Sequence, residues 1–125
     1  MVGAQEFINN KERYCLWLVD CEPNELRNMP MVMERVNKCR EDRINANTAE
    51  SLRLAETPTL FAQITQPDDV NFIIFPLTSS ENRKYIPFGF MPSDVIVGDA
   101  CSIIPDATIY MFGVLESNVH MSWMK

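Results

Sequence analysis

The chain has 125 residues and a 46% hydrophobic, 22% charged composition, which fits one soluble globular domain with its own core and not a disordered chain. A formal net charge of -6 speaks against a polypeptide that binds nucleic acid unaided, because Lys and Arg neutralising phosphates normally carry most of that affinity. No apolar run reaches the length of a membrane span and no charged, then apolar, leader opens the chain; an intracellular, cytoplasmic place with no membrane partner is the expectation.

In chain order, residues 9–12 form a turn. Residues 13–19 (RYCLWLV) are aromatic-rich and nearly continuous in apolar character, so a buried central strand is predicted there, with Cys15 as a buried free thiol. The irregular spacing of Cys15, Cys21, Cys39 and Cys101 predicts reduced cysteines and no zinc site. Pro23 starts one helical turn. From Met29 the apolar residues Val32, Met33, Val36 and Cys39 recur at three- and four-residue intervals, predicting a helix over 29–45 with Arg35, Lys38 and Glu41 turned away. Thr48 caps a shorter helix over 49–56, and Thr57-Pro58 stops it.

The second half reads as strands between Pro, Gly and Asp punctuation: 60–64, 71–77, 85–90, 95–97, 100–104 and 108–115. Ser117 caps a closing helix over 118–125 that stops mid-turn, so the chain is expected to be a fragment of a larger polypeptide. Helices followed by a meander predict an α+β fold: two N-terminal-half helices packed on a mostly antiparallel curved sheet, with a closing C-terminal helix, in a single domain over 1–125.

Charge is unevenly distributed. Residues 27–53 hold six basic side chains (Arg27, Arg35, Lys38, Arg40, Arg43, Arg53) against four acidic ones (Glu34, Glu41, Asp42, Glu50), a balance of +2, which leaves the remainder at -8. Such a chain suits base reading inside a larger basic body that supplies the phosphate contacts.

Catalysis finds little support. Pro67-Asp68 with Glu81 and Lys84 resembles a metal-dependent nuclease motif, but the acid and the lysine are one residue too far apart and would fall on opposite faces of a strand. His120 is the lone histidine, so Ser79, Ser80 or Cys101 as a nucleophile has one available base and nothing that links it to them. No glycine-rich phosphate cradle occurs.

One stretch stands out. Residues 79–90 (SSENRKYIPFGF) set hydrogen-bonding side chains between two apolar arms. On an extended backbone Glu81 and Arg83 would share a face, presenting the acceptor that reads cytosine N4 beside the fork that reads guanine O6 and N7. The alternative is an Arg-Glu surface pair of little consequence.

Four segments, 6–18 (EFINNKERYCLWL), 26–36 (LRNMPMVMERV), 79–90 and 117–124 (SNVHMSWM), resemble the target-recognition region of MmeI-type, or type IIL, restriction-modification enzymes and related adenine-specific DNA methyltransferases. The resemblance covers almost the whole chain. It implies a non-catalytic specificity module of a bacterial DNA methyltransferase or fused restriction-modification enzyme, with double-stranded DNA and the methyltransferase domain of the same polypeptide as partners. It further implies no cofactor in this fragment and S-adenosylmethionine in the parent enzyme. Base reading is placed on Glu81 and Arg83, and backbone contact or positioning on Ser79, Ser80, Asn82, Lys84 and Tyr85. Family members continue past the closing helix into a basic stretch that this chain lacks. A protein-interaction or structural domain with no DNA-reading role is the alternative of a different class.

Overall fold

A computed structural model describes residues 1–124, and Lys125, the last residue of the expected closing helix, lies outside the described residues. The elements run α1 (Ala4–Asn9), α2 (Pro23–Arg27), α3 (Pro30–Asn45), α4 (Ala49–Leu54), β1 (Phe72–Pro76), β2 (Gly89–Met91), β3 (Cys101–Pro105), α5 (Ile109–Leu115) and α6 (Asn118–Trp123). They fall into two compact units, one of residues 1–15 with 66–125 and one of residues 16–65. The fold class is α+β, with helices and an open three-stranded antiparallel sheet. No helix among the described residues is long and apolar enough to cross a membrane.

The first unit is built on β1, the middle strand of the order β2-β1-β3. Ile73 pairs with Phe90 on one side and Ile104 on the other, and Ile74 pairs with Gly89 and Ile103. Phe72, Ile73 and Ile74 are completely buried, so a strand covered on both faces carries an unbroken apolar run in place of alternation. Phe7 of α1 lies against β2 so closely that a Cβ on Gly89 would meet its ring at 2.8 Å, so any larger residue there would have to displace that ring. α1 was not evident from its composition. It is held by Glu6, whose carboxylate accepts from the Gly3 N–H at 3.0 Å and pairs with Arg13 at 3.3 Å, and by Asn10, which takes the left-handed conformation that ends the helix. Hydrogen bonds from the backbone of Glu6 and Gly3, together with the Arg13 charge, hold that carboxyl below its ordinary range.

Two apolar runs expected as strands are not strands. Residues 13–19 have no ladder partner among the described residues, and Tyr14 is 85% exposed. The reason is local: Arg13 is drawn to Glu6, the Tyr14 hydroxyl donates to Glu12 at 2.8 Å, and the run divides at Cys15 between the two units. Cys15 is accordingly half-buried. Residues 108–115 form α5 because Asp106 turns left-handed (φ 51°) after β3, and the Thr108 hydroxyl then accepts the Met111 N–H at 3.2 Å, capping a helix. Short apolar runs are ambiguous between helix and strand, and here the cap decides. Residues 60–64 are likewise not a strand, and 95–97 contributes only a bridge from Val97 to Val2.

The second unit is helical. α3 begins at Pro30 and turns Val32, Met33, Val36 and Cys39 inward, while Arg35, Lys38 and Glu41 are exposed, as the periodicity requires. Thr48 caps α4 by accepting the Ser51 N–H at 3.1 Å. Arg43 joins the end of α3 to the chain after α4: Nη1 donates to the Leu54 and Thr57 carbonyls at 2.7 and 3.0 Å, and Nη2 to the Leu60 carbonyl at 2.8 Å. Trp17 stacks on Phe61, with ring centroids 5.7 Å apart.

Candidate functional site

The connection from β1 to β2 leaves the sheet at Leu77, whose N–H donates to the Ala100 carbonyl at 3.1 Å. Ser79, Ser80, Glu81 and Asn82 are all exposed. The Arg83 N–H then donates to the Ser80 carbonyl at 3.0 Å, closing a β-turn with Glu81 and Asn82 at its corners. The Ser80 hydroxyl accepts the Asn82 N–H at 3.3 Å inside that turn. Residues 85–88 remain irregular, and the second arm becomes strand only at Gly89.

The extended backbone expected to place Glu81 and Arg83 on one face is therefore replaced by a turn. Two short-range bonds to Ser80 bend the chain, and among the described residues no neighbouring strand pairs with residues 79–85 to straighten it. Glu81 occupies the first corner and Arg83 the closing position. Among the described residues neither forms an ion pair. Glu81 is exposed and Arg83 half-buried, so the carboxylate and the guanidinium fork are available to an outside ligand. Lys84 follows, with its ammonium 5.4 Å from the centre of the Tyr85 ring.

Beyond the turn, the chain is seated on α6. The Tyr85 hydroxyl donates to Asn118 Oδ1 at 2.7 Å and the Ile86 N–H to Met121 Sδ at 3.4 Å. Phe88 packs between Phe75 of β1 (5.2 Å) and His120 (6.4 Å). His120 Nδ1 is 2.8 Å from the Leu115 carbonyl, so a protonated Nδ1 donates there and fixes the ring in a structural place. Ser117 starts α6, as its sequence suggests, by accepting the His120 N–H at 3.2 Å. Asn118 and Met121 were not among the residues singled out from sequence. No local pattern relates positions 85 and 118, and only the fold brings them together.

Cys101 lies in β3, where burial, with the Glu6 charge adding to it, pushes its thiol above the ordinary range and so disfavours the reactive thiolate. Among the described residues no three His, Cys, Asp or Glu side chains converge as a metal site would require.

The whole chain, residues 1–125, matches the family model described as MmeI, target recognition domain. The chain belongs to that family. Among its relatives is DNA methyltransferase A of Bacillus subtilis (strain 168), 36% identical over 124 residues, which cover 99% of this chain and 14% of the relative. The solved structure of the type IIL restriction-modification enzyme MmeI in complex with DNA superposes with a TM-score of 0.93 at 43% identity, over 98% of this chain and 16% of that one. The chain spans about a seventh of the length of these relatives.

Proposed function

We propose that this domain reads the sequence of double-stranded DNA for a DNA methyltransferase or fused restriction-modification enzyme, as one recognition domain of a larger polypeptide. The observation that carries the proposal is the exposed turn at residues 80–83, which holds an acid and a base free of ion pairing among the described residues. Arg83 donates to guanine O6 and N7, and Glu81 accepts from cytosine N4. Ser79, Ser80, Asn82 and Lys84 contact the phosphates and sugars beside them, and Tyr85 sets the turn in place.

The partners are the DNA and the methyltransferase domain of the same polypeptide, in the cytoplasm. That domain supplies the chemistry with S-adenosylmethionine and most of the phosphate contacts. The division of labour suits the net charge of -6: phosphate contacts give affinity without sequence information, and a few base contacts give sequence information with little affinity. Support also comes from the relatives, which are a DNA methyltransferase and an enzyme solved on DNA.

The test exchanges Glu81 and Arg83 together for another acid-base or amide combination in the full-length parent and maps the methylated sites. One base pair of the recognised sequence is expected to change while the others persist. An unchanged site with only a lower overall rate overturns base reading by these two side chains.

A further inference from the structure

The turn that carries Glu81 and Arg83 has few ties to the rest of the molecule. Within residues 79–84 the hydrogen bonds among described residues are those of the turn itself, to Ser80. Its outside anchors lie at its ends. Leu77 is bonded to Ala100 on the β1 side, and Tyr85 and Ile86 are bonded to Asn118 and Met121 of α6 on the other. Tyr85 follows Arg83 by two positions and is 33 residues from Asn118, so this bond fixes the turn against a distant element.

Both partners are exposed, and a bond between exposed neutral groups adds little to folding because water competes for it. Its consequence is geometric. With its proton given to Asn118, the Tyr85 hydroxyl has no second hydrogen to offer a phosphate. Asn118 is in turn held at the first turn of α6 by the Ser117 cap. Base-edge hydrogen bonds need the donor fork placed to within a fraction of an ångström, and a side chain on an untethered turn does not meet that need.

We infer that Asn118 is a positioning residue for base recognition: through the Tyr85 hydroxyl it fixes the orientation in which the turn presents Glu81 and Arg83. The inference rests on the base reading proposed above and adds a residue outside the tip to the determinants of specificity. Ile86, Met121 and Phe88 remain as a second tether, so loss of the Tyr85–Asn118 bond leaves the turn attached but free to tilt.

The experiment uses the full-length parent methyltransferase with Tyr85→Phe, Asn118→Ala, the double variant and Asn118→Asp, the last of which keeps an acceptor for the hydroxyl. Methylation kcat/KM is measured on the cognate duplex and on duplexes altered at the base pair that the Glu81/Arg83 exchange reassigns. Each single variant is expected to lower the ratio of cognate to altered rates roughly tenfold, within the range that small misplacements of reacting or recognising groups produce. The double variant should lose no more than either single one, and Asn118→Asp should recover most of the ratio, with the melting temperature steady throughout. An unchanged ratio in both single variants overturns the inference, as do additive losses, which would mean that the two side chains act separately. If the Glu81/Arg83 exchange reassigns no base pair, the base reading itself has failed. If it does and Asn118→Ala keeps full discrimination, only the positioning role has failed.

Discussion

Residues 72–74 and residues 79–82 are separated by four residues, yet the first group is entirely buried and the second entirely exposed. Phe72, Ile73 and Ile74 are gripped on both sides by ladder partners and on both faces by side chains. Ser79 to Asn82 have one another and little else. The contrast separates two tasks along a single connection: β1 fixes where the turn begins, and the turn is free to vary in chemistry because nothing in the core depends on it. Base reading by Glu81 and Arg83, as proposed, suits that separation, since a base-reading side chain that also held the fold could not be exchanged without cost to stability.

The largest effect is expected at the buried end. Phe72→Ala should destabilise the fold by about 3–5 kcal/mol through lost burial and the cavity left behind. Chemical denaturation should show a lowered midpoint at an unchanged denaturant slope. A loss below about 1 kcal/mol, the size of an ordinary surface change, would break the comparison by showing that β1 is not the support of the unit.

The second unit offers an intermediate case. Arg43 is a charged residue used as a clasp, with three carbonyls on its guanidinium. Replacing it by Lys keeps the charge and loses the planar fork, so no single ammonium position satisfies all three acceptors. A cost of about 1–3 kcal/mol is expected, as for hydrogen bonds to a charged group. Amide exchange should quicken around residues 54–60 while the β1 amides keep their protection. Equal exchange in wild type and variant would show the clasp to be dispensable.

These differences explain which parts of the fold are legible in the sequence. Helices announced by a local device are legible: Pro23 at a helix start, the 29–39 periodicity, and the Thr48 and Ser117 caps all operate within four residues of the chain. β1 was legible because full burial leaves an unbroken apolar run. Residues 13–19 and 108–115 carry the same kind of run for other reasons, the first being split between two units and the second being capped into a helix. Hydrophobicity alone cannot distinguish these uses. At the candidate site, residues 79–84 stand out in the sequence as a polar tip, but the extended backbone expected for them gives way to a turn that Ser80 closes. The Tyr85–Asn118 bond spans 33 residues and has no signature in either segment.

The smallest effect on stability is expected at the exposed end, and it tests the comparison most directly. Glu81→Gln removes a charge from the first corner of the turn, where the side chain has no ion-pair partner among the described residues and the turn is closed by Ser80 and Arg83 backbone groups. Nothing that shapes the turn is lost, so the unfolding midpoint should stay within about 0.5 kcal/mol of wild type. The same change should still be felt by DNA. A carboxylate only accepts, whereas an amide both accepts and donates, so preference should widen from the cytosine amino group toward adenine, whose N6 and N7 suit an amide. Stability unchanged with altered base preference in the full-length parent is the outcome that a turn freed from structural duty predicts. A loss of stability comparable to that at Arg43 would instead make Glu81 part of the fold, and the separation drawn between the buried strand and the exposed turn would not hold.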